Sequence, residues 1–383
     1  EQIEFGSIVG EDFSVNTGND FLSILIMDAE ILPNTETVLG YIYATIPENV
    51  NVGDVFSIYT QSASGSTPNY DALMVEEGES GSITITESAS LQVNMPLLEG
   101  WNWISLNANT NNMSIDPMFS SIYPYGLYIS SQTGYATFYE DYSEWFGTID
   151  ELDNKSLYKL EMNQNDSLSF LGSAVDIDEE IISINEGYNW IGYTPQTENY
   201  IDIALSNVPE GYIDYIKTHD GFSHYYEPYG WYGTISTLKP YVGYVAYSNE
   251  TFDMTYYSED VLRNYSQPYN SLLLDDHGWI VTPQEYQNNG TVTASLLIDD
   301  EVVLSHDYVI GAFSDNKCVG IAHSIDFIDN NIIFPLMIYG DNENQNINFK
   351  VYKISSREYF NINETINYTF DMIQGDGVNP IPL

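Results

Sequence analysis

A tandem repeat in the middle of the chain constrains its fold more than any other sequence feature. The segment Gly100-Trp101-Asn102-Trp103-Ile104-Ser105 recurs as Gly187-Tyr188-Asn189-Trp190-Ile191-Gly192, at an offset of 87 residues. The match continues downstream, where Trp145-Phe146-Gly147-Thr148-Ile149 aligns with Trp231-Tyr232-Gly233-Thr234-Ile235 at an offset of 86. Self-similarity over this length, with a gap of one residue, indicates a tandem duplication of one structural unit.

Each copy of the repeat reads as mostly strand, because its apolar positions are aromatic or β-branched. A short helix is expected after the first strands, with Asp116 as its cap and Pro117 at its first helical position. An aromatic hairpin over 135–142, and over 222–229 in the second copy, is expected next. We predict that the Trp-x-Gly-Thr segment forms the closing turn, with Gly147 and Gly233 at positive φ.

The two ends of the chain read as different units. Short strands punctuated by Gly and Asn turns predict an antiparallel sandwich at each end, and the C-terminal one is of Ig-like size. The predicted fold class is therefore all-β and multi-domain, with two sandwiches flanking two aromatic-rich β repeats that carry a short helix each. The predicted domains are residues 1–97, 98–184, 185–262 and 263–383.

Charge and cysteine content restrict the partners. The chain has 9 Lys and Arg against 56 Asp and Glu, a net charge of −47. Such a field repels nucleic acid and anionic membrane surfaces, so we expect no nucleic-acid partner. No apolar run is long enough to span a bilayer, and we expect no membrane insertion.

Cys318 is the single cysteine, which excludes an intrachain disulfide. Because the chain begins at Glu1, we expect a processed N-terminus or a fragment.

The repeat resembles the Gly-Trp-Asn-Trp-Ile-Ser repeats of surface proteins of marine bacteria and marine viruses. Copy two carries the resemblance further, through Gly230-Trp231-Tyr232-Gly233 and Gly243-Tyr244. The last unit resembles the Ig-like β-sandwich that accompanies such repeats, in the segments 310–313, 318–322 and 348–352. The resemblance implies an extracellular, cell-surface or virion-surface location. It implies no reaction and carries no catalytic residues.

No catalytic constellation is evident in the sequence. The five histidines lack the spacing of a zinc helix motif, and neither a nucleophile elbow nor a phosphate loop is present. Two paired carboxylates could catalyse glycoside hydrolysis. The chain has so many acidic residues that the sequence does not identify one such pair. We therefore predict that the protein is not an enzyme.

Two kinds of binding site are compatible with the composition. Aromatic rings near the hairpins could stack on sugar faces, or they could form the core of the repeat. These rings belong to Tyr139, Trp145, Tyr226, Tyr229 and Trp231. Acidic loops offer oxygen ligands for calcium as a candidate cofactor, or they are simply solvated. Their candidate ligands are Asp275, Asp276, Asp299, Asp300 and Asp341.

Two functional hypotheses follow from these observations. The first is a non-enzymatic structural or adhesive protein, a subunit of a surface fibre, appendage or virion surface assembly. Its partners would be further copies of the chain or other surface or virion proteins, since sheet edges and repeats favour lengthwise contacts. The alternative is a carbohydrate-binding protein of a secreted system, with glycans as its ligands.

Overall fold

The structure is a computed structural model that describes residues 2–5, 13–17, 22–26, 40–43, 54–58, 65–66, 72–73, 81–84, 91–258 and 276–383. The chain divides into two compact units, Glu1–Ser88 and Ala89–Leu383. The described residues are mostly strand, with two four-residue α-helices, which confirms the predicted all-β class.

The described part of the first unit consists of antiparallel strand pairs. The strands are β1 (Gln2–Phe5), β2 (Phe13–Thr17), β3 (Leu22–Ile26), β4 (Gly40–Tyr43), β5 (Val55–Ile58), β6 (Gly65–Ser66), β7 (Ala72–Leu73) and β8 (Gly81–Thr84). Strand β1 pairs with β4, β2 with β3, β5 with β8, and β6 with β7.

The first repeat contains a five-stranded sheet in the order β10-β15-β12-β13-β14 and a three-stranded sheet in the order β11-β16-β9. Its elements are β9 (Leu91–Leu97), β10 (Gly100–Ile104), β11 (Ala108–Asn109), α1 (Ile115–Met118), a 3₁₀ turn (Ser120–Ile122), β12 (Gly126–Ser130), β13 (Tyr135–Tyr139), β14 (Glu144–Gly147), β15 (Tyr158–Met162) and β16 (Asp166–Ala174). Strand β9, which our predicted domains assign to residues 1–97, pairs with β16 along its whole length.

The second repeat has the same sheet order, β18-β24-β20-β21-β22, so the sequence duplication reappears in the fold. Its elements are β17 (Ile182–Ile184), β18 (Gly187–Ile191), β19 (Asn199–Tyr200), α2 (Ile201–Ala204), β20 (Ile213–Lys217), β21 (Phe222–Tyr226), β22 (Gly230–Gly233), β23 (Thr237–Leu238), β24 (Tyr244–Ser248) and β25 (Phe252–Met254). Strand β17 pairs with β25 as β9 pairs with β16, so both repeats begin with a strand ahead of the Gly-aromatic-Asn-Trp motif.

The C-terminal residues form two sheets around one apolar core, hereafter the C-terminal sandwich. Its strands are β26 (Asn289–Ser295), β27 (Leu297–Ile298), β28 (Glu301–Val302), β29 (Tyr308–Ser314), β30 (Lys317–His323), β31 (Ile325–Phe327), β32 (Asn331–Tyr339), β33 (Gln345–Lys353), β34 (Glu358–Tyr368), β35 (Ile373–Gln374) and β36 (Ile381–Pro382), with 3₁₀ turns at Pro283–Glu285 and Ile328–Asn330. One sheet has the order β31-β32-β26-β35, with β36 also on β26, and the other β30-β29-β33-β34. Side chains such as Val292, Ile310 and Phe334 fill the space between them.

The asparagine of the repeated motif holds the turn that precedes it. Asn189 Nδ2 donates to the carbonyl oxygens of Asn185 and Gly187 at 2.7 and 3.0 Å, and its Oδ1 accepts from Asn185 N at 2.9 Å. Asn102 makes the same three bonds, with Leu98 and Gly100. Gly187 has φ +97°, a conformation that favours glycine. We name these three side-chain hydrogen bonds of the motif asparagine the turn lock. They stabilise the turn within the motif itself, which explains why the motif recurs without any need for a ligand.

Three local predictions in the repeats are wrong. The short helix has Ser114, not Asp116, at its N-cap. The Trp-x-Gly segment is strand β14 rather than a turn, because the hairpin already reverses after Tyr139. Gly147 does not have a positive φ, and neither does its counterpart Gly233. A Cβ at Gly147 would lie 2.0 Å from the carbonyl oxygen of Tyr135, so close approach of two backbones requires the glycine.

The two repeats contact each other through reciprocal backbone hydrogen bonds. Each bond between a residue of repeat one and a residue of repeat two has a counterpart in which the roles are exchanged. The pairs are Ser105 N to Tyr241 O (3.0 Å) with Gly192 N to Lys155 O (2.7 Å), and Gly243 N to Trp103 O (3.2 Å) with Leu157 N to Trp190 O (3.3 Å). Reciprocity of this kind defines an isologous interface, so the repeats are related by a pseudo-twofold axis within one chain.

Candidate binding surface

Five aromatic side chains of repeat one lie on one face of its five-stranded sheet. Residues that pair across a sheet share a face, and so do alternate residues along a strand. Tyr128 pairs with Thr137, and Thr137 pairs with Phe146. Trp103 alternates with Trp101 and so lies on the same side of the sheet, next to the second repeat. The outer face, as we name it, is the rest of this side, formed by Trp101, Tyr128, Tyr135, Tyr139 and Phe146.

Repeat two has an aromatic residue at every equivalent position. The same registers place Tyr188, Tyr215, Phe222, Tyr226 and Tyr232 on the outer face of its sheet. The pseudo-twofold axis therefore relates two surfaces with the same pattern of rings. The two surfaces differ in which other part of the chain packs against them.

The C-terminal sandwich covers the outer face of repeat two. Tyr215 and Phe222 are each 1% exposed and belong to the same core as the sandwich side chains. The ring centroid of Phe327 lies 4.9 Å from that of Tyr226 and 5.3 Å from that of Tyr232. Tyr188 Oη donates to Asp371 O at 2.8 Å. The aromatic pattern of repeat two thus packs against another part of the same chain.

The hairpin part of the outer face of repeat one is open, whereas Trp103 on the same side of the sheet is 4% exposed and donates from Nε1 to Gln287 O at 3.2 Å. Tyr135, Tyr139 and Phe146 are 48%, 49% and 46% exposed, whereas Trp101 and Tyr128 are partly buried. The rings contact one another, with Tyr128 stacked on Tyr135 at 6.1 Å and Tyr139 edge-on to Phe146 at 5.6 Å. A contiguous group of exposed rings is the kind of surface that marks an interaction site.

A lysine lies between two tryptophans close to the pseudo-twofold axis. Lys159 Nζ is 4.3 Å from the ring centroid of Trp103 and 4.3 Å from that of Trp190. It also donates to Asn288 Oδ1 at 3.1 Å. Burial lowers the pKa of this ammonium group, while the two ring faces favour its charged form. The residue equivalent to Lys159 in repeat two is the buried Val245, so the cation is present on one side of the axis alone.

A second buried lysine joins repeat two to the C-terminal sandwich. Lys217 Nζ donates to Asp371 Oδ1 at 2.6 Å and to Asn289 Oδ1 and O at 2.8 and 3.2 Å. Burial lowers the pKa of Lys217, and the carboxylate of Asp371 opposes that effect. Ser130 occupies the equivalent position in repeat one. The sequence pattern around Lys217 does not indicate that its side chain is buried. The available signal is that a lysine ends a strand in a chain with few basic residues.

The five residues predicted as an aromatic platform do not form one surface. Tyr139 lies on the open outer face of repeat one, and Tyr229 is 56% exposed in the hairpin turn of repeat two. Tyr226 lies on the covered outer face against Phe327.

The remaining two predicted platform residues, Trp145 and Trp231, face inward. Trp145 packs on the core of repeat one, 5.3 Å from the ring of Phe119, and Trp231 packs on the core of repeat two. The alternative interpretation, that these rings build the repeat core, therefore describes the two tryptophans.

The predicted calcium ligands lie apart from one another. Asp275 lies outside the described residues, and Asp276 forms an ion pair with Arg357 at 3.0 Å. Asp299 and Asp300 form the turn between β27 and β28, and Asp341 Oδ1 accepts from Gln287 N at 2.9 Å. In the described part of the chain, no group of three or more His, Cys, Asp or Glu side chains is arranged to hold a metal ion. Calcium stays a prediction from sequence.

No helix within the described ranges is both long and apolar enough to cross a membrane. The chain matches no protein-family model, no curated protein and no solved structure.

Proposed function

We propose that this protein is a non-enzymatic structural and adhesive component of an extracellular surface, cellular or viral, and that it assembles head to tail through the outer face of repeat one. One observation carries the proposal. Two equivalent aromatic faces exist in the chain, the C-terminal sandwich covers that of repeat two, and the hairpin part of the face of repeat one is exposed. A second copy of the chain is the occupant that we assign to the exposed face.

The charges around the exposed face indicate which part of the second copy docks there. Glu140, Asp141 and Glu144 are exposed at the tip of the same hairpin. In a chain with 9 Lys and Arg, a cluster of basic residues is uncommon. In the C-terminal sandwich three of them are close together in sequence, Lys350 and Lys353 on β33 and Arg357 in the turn that follows, where it pairs with Asp276. Opposite charges on two surfaces favour their association and fix its orientation.

The basic end of the sandwich also offers apolar surface and an open sheet edge. In the described part of the chain, β34 is an edge strand of eleven residues. Tyr359 and Phe360 on this strand are 53% and 49% exposed. Long edges with exposed apolar side chains are templates for association. A contact between this edge and the outer face of the next copy is heterologous, so it propagates into a filament or lattice.

The first test is electron microscopy of native material, combined with sedimentation velocity of the purified chain over a range of concentrations. We expect concentration-dependent oligomers that are lost when Tyr139 and Phe146 are both replaced by Glu. The matched control is Tyr229→Glu, which alters a similarly exposed ring in repeat two. Monomers at every concentration, or oligomers unaffected by Y139E/F146E, would refute assembly through this face.

A further inference from the structure

A cleft lies on the side of the repeat-one hairpin opposite to the outer face. It has a volume of about 450 Å³, within the range of small-molecule sites. Its walls are aromatic, with Phe119, Tyr123, Phe138 and Trp145 arranged edge to face or tilted at centroid distances of 5.3 to 5.5 Å. This cleft is separate from the surface through which we propose that the chain assembles.

Polar groups line the rim of the cleft. Asp116 Oδ1 accepts from Trp145 N at 2.9 Å, and in the described part of the chain Oδ2 has no hydrogen-bond partner. The hydroxyl groups of Tyr123 and Ser143 lie 3.1 Å apart at the mouth, and Ser120 is exposed beside them. The cleft therefore combines apolar ring surfaces with a carboxylate and several hydroxyl groups at their edges.

The cleft depends on residues that differ between the two repeats. A Cβ at Gly126 would lie 2.9 Å from Trp145 Cζ2, so this glycine leaves space beneath the indole. Repeat two has Ile213 at the equivalent position, and its side chain is 3% exposed within the core. At the same offset of 87 residues, Glu210 stands in repeat two where repeat one has Tyr123. The glycine and the tyrosine that shape the cleft are thus present in repeat one and absent from the equivalent positions of repeat two.

We propose that this cleft binds the pyranose ring of a neutral carbohydrate. Sugar rings have an apolar face that packs on aromatic rings and a rim of hydroxyl groups that donate and accept hydrogen bonds. The carboxylate of Asp116 accepts from such hydroxyl groups, Ser120 Oγ, which donates to Pro117 O, can also accept, and the hydroxyl group of Ser143 can donate or accept. The acidic surface, with a net charge of −47, disfavours sulfated sugars and uronates, which makes a neutral hexose the matching ligand.

Binding of neutral tetrasaccharides tests the proposal with two matched variants. The probes are β-1,4-glucan, β-1,3-glucan and β-1,4-mannan tetrasaccharides, with an alginate tetrasaccharide as the anionic comparison. Tyr123 and Tyr139 are 48% and 49% exposed on opposite faces of the same hairpin region, so their truncation to Ala removes similar exposed rings. Calorimetric titration should show that at least one neutral probe binds. Y123A should weaken that binding by about tenfold, and Y139A should leave it within about twofold.

Several outcomes would overturn the carbohydrate proposal. They are a lack of binding by all three neutral probes, binding of the alginate probe alone, and an equal loss in Y123A and Y139A. A further variant, Asp116→Asn, keeps the acceptor for Trp145 N and removes the charge, so it separates folding from recognition. The test is independent of self-assembly, because Y139A alters the proposed assembly face and leaves the cleft intact.

Discussion

The contact between repeat two and the C-terminal sandwich depends on a buried cation, and Lys217→Met tests this directly. Methionine has a similar length, so it fills the space and removes the three donated hydrogen bonds. Asn289 is fully buried, and its Oδ1 and O would lose the ammonium donor. Asp371, whose side chain is 27% exposed, would lose its cation.

The size of the effect follows from these losses. A buried polar atom left without a partner costs about 1–3 kcal/mol, and breaking a buried ion pair by removing one partner costs about 3–5 kcal/mol. We therefore expect K217M to lower the free energy of unfolding of residues 89–383 by about 3–5 kcal/mol. That is a large share of the roughly 5–15 kcal/mol by which native domains are stable.

Tryptophan fluorescence during urea unfolding is the appropriate measurement. All 6 tryptophans lie between Trp101 and Trp279, so the signal reports on the larger unit and not on residues 1–88. Lys155→Met is the matched control. Lys155 forms a 3.1 Å ion pair with Glu180, but the side chains are 46% and 22% exposed. A surface pair of this kind contributes about 0–1 kcal/mol.

Two results would refute the reasoning about Lys217. One is a loss in K217M no larger than that in K155M. The other concerns the double variant K217M/D371N, in which the unpaired carboxylate is removed together with the cation. If the ion pair is the cause, the double variant should be less destabilised than the sum of the two single variants. Strict additivity would show that the effect comes from packing alone.

Two further predictions concern the turn lock and the buried histidines. Asn189→Ala removes three hydrogen bonds at a side chain that is 5% exposed. We expect a loss of about 3 kcal/mol in urea unfolding, at roughly 1 kcal/mol per bond, and a smaller loss for the more exposed Asn102→Ala; a larger loss in N102A would contradict this. Burial lowers the pKa of His219 and of His224 from 6.5 to about 4. Below pH 6.5 the unfolded chain therefore binds protons that the folded chain excludes, so this contribution to stability is complete above pH 6.5 and is lost as the pH falls toward 4. The shift corresponds to about 3 kcal/mol for each histidine. His219→Gln, which installs the residue of repeat one (Gln132), should reduce the loss of stability between about pH 7 and pH 5; an unchanged pH dependence would refute the assignment.

Much of the architecture was predictable because it depends on local and periodic signals. The duplication and the all-β class follow from aromatic and β-branched segments that recur with one gap, and Asn102 and Asn189 act within five residues of themselves. Predictions that required exact backbone positions were wrong, as for Gly147, where a neighbouring strand and not a turn demands glycine. Strand pairing places that neighbouring strand against the glycine. The two strands are separated in sequence, so no local pattern encodes their close approach.

The sequence by itself determined that both repeats carry aromatic residues at equivalent strand positions, since the duplication and the alternation along a strand are local properties. Only the tertiary structure decided that one of the two outer faces is core and the hairpin part of the other is surface. The reason is that residues 276–383 pack mainly on repeat two, where Lys217 finds Asp371 and Asn289, and contact repeat one beside Trp103 and Lys159, next to the axis. Tyr135 and Phe222 occupy equivalent positions, yet they are 48% and 1% exposed, because burial depends on which distant segment packs against a strand and not on the strand's own residues.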